Sequence, residues 1–154
     1  AMENIYTPTA LILSRQDVAS VPNTSAEGVK KGAYVVSKDE NPQVVMLASG
    51  SEVSTLMAGA ELLRAEGVRL QIVSVPSEAI FRQQTKEYQE EVLPKGVARF
   101  GLTAGLPCNL EGLVGEHGTV WGLNSFGFSA PYKVLDEKLG FTAENVYKQV
   151  KALL

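Results

Sequence analysis

From Gly32 onward the apolar and polar positions fall into blocks that change period. AYVVS (33–37) is a short apolar run, closed by the turn residues Asp39, Glu40, Asn41 and Pro42. VVMLAS (44–49) is apolar throughout, the pattern of a strand buried on both faces. Residues 52–66 then place Val53, Leu56, Met57, Ala60 and Leu63 on one helical stripe. Ser51 is the expected cap of that helix and Gly67 its stop. VRLQIVSV (68–75) predicts a third strand that Pro76 ends, and VARFGLTA (97–104) a fourth. Between them the polar stretch 77–92 predicts one short helix, around Gln84 to Val92. Residues 107–116 are ambiguous, with room for a short helix. TVWGLN (119–124) predicts a fifth strand, followed by the loop SFGFSAP (125–131). YKVLDEKLG (132–140) is helical, stopped by Gly140. Thr142 with Asn145, ahead of Val146, Val150 and Leu153, starts a last helix.

Strands that alternate with helices predict an α/β fold with a mostly parallel sheet covered on both faces. The first part of the chain fits less well. Pro8 precedes TALIL (9–13), a strand candidate that ends in Ser14-Arg15-Gln16-Asp17. Residues 18–32, with Pro22, Asn23, Gly28 and Gly32, have no clean period and are expected to be a linker. A strand ahead of a linker either pairs at a sheet edge or belongs to a sheet that is missing. The chain opens Ala1-Met2-Glu3, and an alanine before the methionine looks like a scar of cloning.

Composition narrows the function. The chain has 154 residues and a net charge of −3, from 14 basic and 17 acidic residues. No Lys/Arg run with interleaved aromatics is present, so nucleic acid is not an expected partner. No apolar run approaches the ~20 residues of a membrane helix. One cysteine, Cys108, excludes an internal disulfide and points to a reducing compartment.

Candidate chemistry is sparse. Ser49-Gly50-Ser51-Glu52 joins a strand to a helix, where a phosphate can bind. It lacks the glycine pattern of a dinucleotide or triphosphate site, and Glu52 puts negative charge where the phosphate would lie. A plain turn is the expected reading. His117 is the only histidine and cannot build a His-rich metal site. A Cys108/His117 nucleophilic pair has no support from spacing; a loop histidine and a small apolar cysteine are expected instead. Arg15, at the end of a strand, can clamp a phosphate through two hydrogen bonds. Spacing alone favours a surface arginine paired with Asp17. Trp121, Phe126 and Phe128 are core or interface candidates. Glu78, Glu90 and Glu91 read as solvated helix charges.

TPTALILSRQ, LASGSEV, IVSVPSEAIFRQQTKEYQEEVLP and SFGFSAP, in this order, resemble the C-terminal part of bacterial transketolases, from about Ile5 to Leu154. The segment from Pro76-Ser77 through Phe81, Gln84, Tyr88 and Val92-Leu93-Pro94 is the most specific piece. The resemblance implies that residues 1–17 are the tail end of the pyrimidine-binding domain, 18–32 a linker and 33–154 the C-terminal domain. That domain is expected to be a three-layer α/β/α unit with a five-stranded mixed sheet, in which AYVVS runs antiparallel to the rest. The resemblance also makes Arg15 the residue that binds the substrate phosphate, against the preference from spacing.

The family reaction moves a two-carbon ketol unit between sugar phosphates of the pentose phosphate pathway. It uses thiamine diphosphate and a divalent metal, usually Mg2+ and sometimes Ca2+. The resemblance implies that both bind outside this chain, in upstream domains, and that the whole enzyme is a cytoplasmic homodimer. No catalytic, cofactor-binding or metal-binding residue is carried over to this chain, so alone it is expected to be inactive. The alternative is a non-catalytic assembly domain of another thiamine diphosphate enzyme, of the deoxyxylulose-phosphate synthase or 2-oxoacid dehydrogenase β-part type. The SRQ and VLP stretches favour transketolase. The chain departs from the family pattern at Thr103-Ala104, in the aromatic-poor LPCNLEGLV, and at Phe128.

Overall fold

The computed structural model describes residues 5–154; the Ala1-Met2-Glu3 start lies outside them. In chain order the elements are α1 (Ala26–Lys30), β1 (Tyr34–Lys38), β2 (Val44–Ala48), α2 (Glu52–Ala65), β3 (Leu70–Ser74), α3 (Glu78–Arg82) and α4 (Lys86–Val92). They continue with β4 (Ala98–Leu102), α5 (Cys108–Val114), β5 (Thr119–Trp121), α6 (Tyr132–Leu139) and α7 (Ala143–Leu153). The five strands form one mixed sheet in the order β1-β3-β2-β4-β5. β1 lies antiparallel to β3, with a register shift between Val35 and Ser37. The other pairings are parallel.

The two helical layers follow from which side chains each strand sends to each face. Val44, Met46 and Ala48 of β2 pack with Val53, Leu56, Ala60 and Leu63 of α2 and with Val146 and Val150 of α7. The alternate residues Val45 and Leu47 pack on the other face, with Phe81 of α3, Val92 of α4 and Leu110, Leu113 and Val114 of α5. All five β2 residues are buried, as the uninterrupted apolar run demands. At Gly59 the helices α2 and α7 approach so closely that a Cβ would collide with Val146.

Capping explains most helix starts. The Ser77, Thr85 and Thr142 hydroxyls accept hydrogen bonds from the N–H groups of Ile80, Tyr88 and Asn145. Gly140 closes α6 in the left-handed region, at φ 79°. Gly67, past the end of α2, is left-handed too.

The structure differs from the sequence expectations in several places. TALIL is not a strand: among the described residues, nothing before α1 is helix or sheet. A strand exists only with a ladder partner, and this segment has none here. The expected linker contains the helix α1, which Ser25 caps by accepting from the Gly28 N–H. Ser51 does not cap α2; its hydroxyl donates to Glu52 Oε1 at 2.9 Å. Residues 77–92 hold two helices rather than one, and the ambiguous stretch 107–116 contains α5. Cys108 is exposed at the first residue of α5, not a packed apolar residue.

Candidate functional site at the carboxyl end of the sheet

The strand order sets where a site can form. β2 is followed by α2 on one face, and β3 is followed by α3 and α4 on the other. β4 then lies on the far side of β2 and feeds α5, which belongs to the same face as α3 and α4. The turns leaving β2 and β4 therefore diverge to opposite faces. In open α/β sheets such a divergence leaves a crevice at the carboxyl ends of the strands.

A crevice of about 560 Å3 lies there. Ser49, Gly50, Ser51 and Glu52 form one wall and Thr103, Ala104 and Gly105 the opposite one. Gly50 turns the chain at φ 61°, a conformation that suits glycine. α6 contributes Leu135, Asp136 and Leu139. The N-terminal segment crosses the opening with Ala10, Ile12, Leu13, Ser14 and Gln16.

The charge in this crevice is negative. Burial raises the Glu52 pKa; hydrogen bonds from the Ser51 hydroxyl and from the Glu52 and Ala104 N–H groups offset part of that, while Asp136 adds to it. Burial raises the Asp136 pKa as well. Neither carboxylate has an ion-pair partner among the described residues. A phosphate placed at Ser49–Glu52 would meet this negative charge, which physically supports the plain-turn reading of that stretch. Asp136 carries no signal in the sequence, because only the fold brings α6 against the start of α2.

The other candidates sit apart. Arg15 is exposed, is not one of the residues lining the crevice, and makes no ion pair with Asp17. The residues on either side of it, Ser14 and Gln16, do line the crevice. His117 is an exposed turn residue between α5 and β5. Glu78 pairs with Arg82 and Glu90 with Lys95, so these two helix charges are partnered rather than merely solvated. Trp121 is half-buried and donates from Nε1 to the Leu139 carbonyl at 3.1 Å. Phe126 and Phe128 are 98% and 65% exposed, so they are not core. Among the described residues no group of three or more His, Cys, Asp and Glu is placed to hold a metal ion.

Residues 32–142 match the family model described as the transketolase-like C-terminal domain. The chain belongs to the transketolase C-terminal domain family. It is 42% identical over 160 residues to a transketolase of Geobacillus stearothermophilus, a match that covers 100% of this chain and 24% of that protein. Among solved structures, a transketolase from Leishmania mexicana superposes with a TM-score of 0.84 at 36% identity, over 90% of this chain and 20% of that one. A Pichia stipitis transketolase in complex with sedoheptulose-7-phosphate gives 0.81 at 27% identity, over the same shares of 90% and 20%. The chain thus spans about a quarter of the length of its curated relatives. The antiparallel β1 and the five-stranded mixed sheet are those expected of this domain. Thr103 and Phe128, two of the positions expected from the sequence to depart from the family pattern, both line the crevice.

Proposed function

We propose that this chain is the C-terminal part of a thiamine diphosphate-dependent transketolase. The whole enzyme transfers a two-carbon ketol unit between sugar phosphates. The observation that carries this reading is a match over the full chain to transketolases of which it covers 24%. The exposed apolar residues Leu11, Ile12 and Leu13 support it, because such a segment needs a sheet from elsewhere to cover it. In this reading residues 1–17 close the preceding domain, residues 18–32 connect, and residues 33–154 form the C-terminal domain. Upstream domains of the same protein hold thiamine diphosphate and Mg2+ or Ca2+, and the enzyme works as a cytoplasmic homodimer. The cofactor, when bound, supplies the carbanion stabilisation that the transfer requires. Among the described residues, no helix is long and apolar enough to cross a membrane.

This chain contributes assembly surface and one substrate contact. Arg15, exposed and without an ion-pair partner among the described residues, is free to direct its guanidinium at a phosphate. A guanidinium fits phosphate oxygens through two parallel N–H donors. In the full-length protein, Arg15→Ala is expected to cost about 1.5–3 kcal/mol of binding to phosphorylated substrates. That is a loss of roughly tenfold or more in kcat/KM. An unphosphorylated acceptor should be unaffected, and the dimer should persist by sedimentation. Equal losses for both acceptors would remove Arg15 from phosphate binding. Unchanged kinetics would leave the domain as an assembly module.

A further inference from the structure

A second hollow lies on one face of the sheet, among α3, α4 and α5. It measures about 220 Å3 and shares no residue with the crevice. Arg82 at the end of α3, Lys86 at the start of α4, Lys95 in the following loop and Arg99 in β4 line it. Glu90 lines it as well and Glu78 stands just outside the lining against Arg82, so four cations meet two carboxylates in a chain whose net charge is −3. Gly112 of α5 makes room for the Arg82 guanidinium, which a Cβ there would strike.

Two of the four cations are already partnered, Arg82 with Glu78 and Lys95 with Glu90. The other two have no carboxylate among the described residues. Lys86 is exposed and makes no ion pair. Arg99 is half-buried. Its Nη1 donates to the Leu113 carbonyl at 2.7 Å, and its Nη2 to the Leu93 and Pro94 carbonyls at 2.9 and 3.1 Å. These bonds fix the guanidinium and engage three of its five N–H donors. The Leu93 and Leu113 carbonyls lie at the negative ends of α4 and α5 and offset part of its charge, but no carboxylate among the described residues completes the match.

We propose that this recess binds the phosphate group of a small phosphomonoester. A dianion with three terminal oxygens matches two unpaired cations and the spare guanidinium donors better than a single carboxylate does. The volume falls below the ~300 Å3 at which pockets for drug-sized ligands begin, so a nucleotide would not be enclosed. The inference stands on these residues alone and does not depend on the activity proposed above.

The test is an NMR titration of the 15N-labelled chain with glycerol 2-phosphate and, separately, with inorganic phosphate. Each is compared with sodium chloride at matched ionic strength. Saturating shifts are expected at residues 93–99, 111–114 and the Arg99 Nε–H. Tighter binding of glycerol 2-phosphate identifies an ester as the ligand, and equal binding identifies the free ion; either supports a phosphate recess. Lys86→Ala should weaken binding by about tenfold, the loss of one charge-assisted contact. It should leave the melting temperature in chloride unchanged, since Lys86 is exposed. Lys95→Ala serves as a second variant that leaves the Arg99 anchor intact. Identical shifts with chloride, or affinity indifferent to both lysines, would overturn the proposal.

Discussion

Asp39 and Glu52 are carboxylates at opposite ends of the central strands, and their surroundings differ in kind. Asp39 lies at the amino end of the parallel strands. Its oxygens accept from Arg64 Nε at 3.1 and 3.0 Å, and Oδ2 also accepts from the Leu70 N–H at 2.9 Å. Arg64 extends the tie by donating from Nη2 to Ser37 Oγ at 2.7 Å. Burial raises the Asp39 pKa, but the bonds from Arg64 and Leu70 outweigh it, and the net shift is downward. Glu52 has a serine hydroxyl, backbone N–H groups and a neighbouring Asp136, and its net shift is upward. The amino end of the sheet is closed by paired charge. The carboxyl end keeps unpaired negative charge in a hollow, at the edge where α/β folds leave room for ligands and neighbours.

Removing the better-partnered carboxylate should have the larger effect. Asp39→Ala breaks three hydrogen bonds and leaves Arg64, only 26% exposed, without this partner. We expect a loss of about 2 kcal/mol in urea unfolding at pH 7. The folded pKa of Asp39 lies below 3.8, so its contribution is present above that value and fades as pH falls through the folded pKa. The gap between wild type and Asp39→Ala should therefore close in acid. A variant as stable as wild type at pH 7 would reduce the corner to a surface ion pair.

Glu52→Gln should change stability by less and with the opposite sign. The folded pKa of Glu52 lies above 4.5, so the ionised form costs stability at neutral pH. Replacement by the neutral amide should stabilise by less than about 1 kcal/mol at pH 7. The advantage should shrink as pH falls through the raised pKa and be gone below 4.5. A destabilised Glu52→Gln at pH 7 would mean that the bonds to the carboxylate and its place at the start of α2 outweigh desolvation.

Only the local part of this contrast could be read from the sequence. The β2 run has all five residues buried, so composition alone identifies it. Thr142 sits one residue ahead of α7 and caps it, a local signal that the sequence carries outright. The five-residue helices α1 and α3 span too few residues for a period to show. TALIL has the composition of a strand and is not one, because strand formation depends on a partner that composition does not encode. Ser51 has the residue type of a cap, but Glu52 takes its hydroxyl. The approach of Asp136 to Glu52, and the bonds from Arg99 to the Leu93, Pro94 and Leu113 carbonyls, arise from the tertiary fold and leave no trace in spacing.

The smallest effect on stability is the most informative about the crevice. Ile12 and Leu13 line its opening yet are 96% and 81% exposed. The double variant Ile12→Ser/Leu13→Ser should change the unfolding free energy of this chain by less than about 0.5 kcal/mol, as exposed positions do. It should still loosen the cover over Glu52 and admit water. Desolvation is the leading cause of the raised Glu52 pKa, so that pKa should fall back toward 4.5, while Asp39 at the other end of the sheet titrates as before. Carboxyl 13C shifts followed through a pH titration separate the two groups in one experiment. If Glu52 does not move, its burial comes from the α6 side of the crevice, through residues such as Tyr132 and Leu135, and the N-terminal segment is only a neighbour of the opening. If Glu52 moves and Asp39 does not, the N-terminal segment that carries Arg15 sets the electrostatics of the crevice. Its departure to pair with a sheet elsewhere would then open the carboxyl end of this domain to solvent or to whatever docks there.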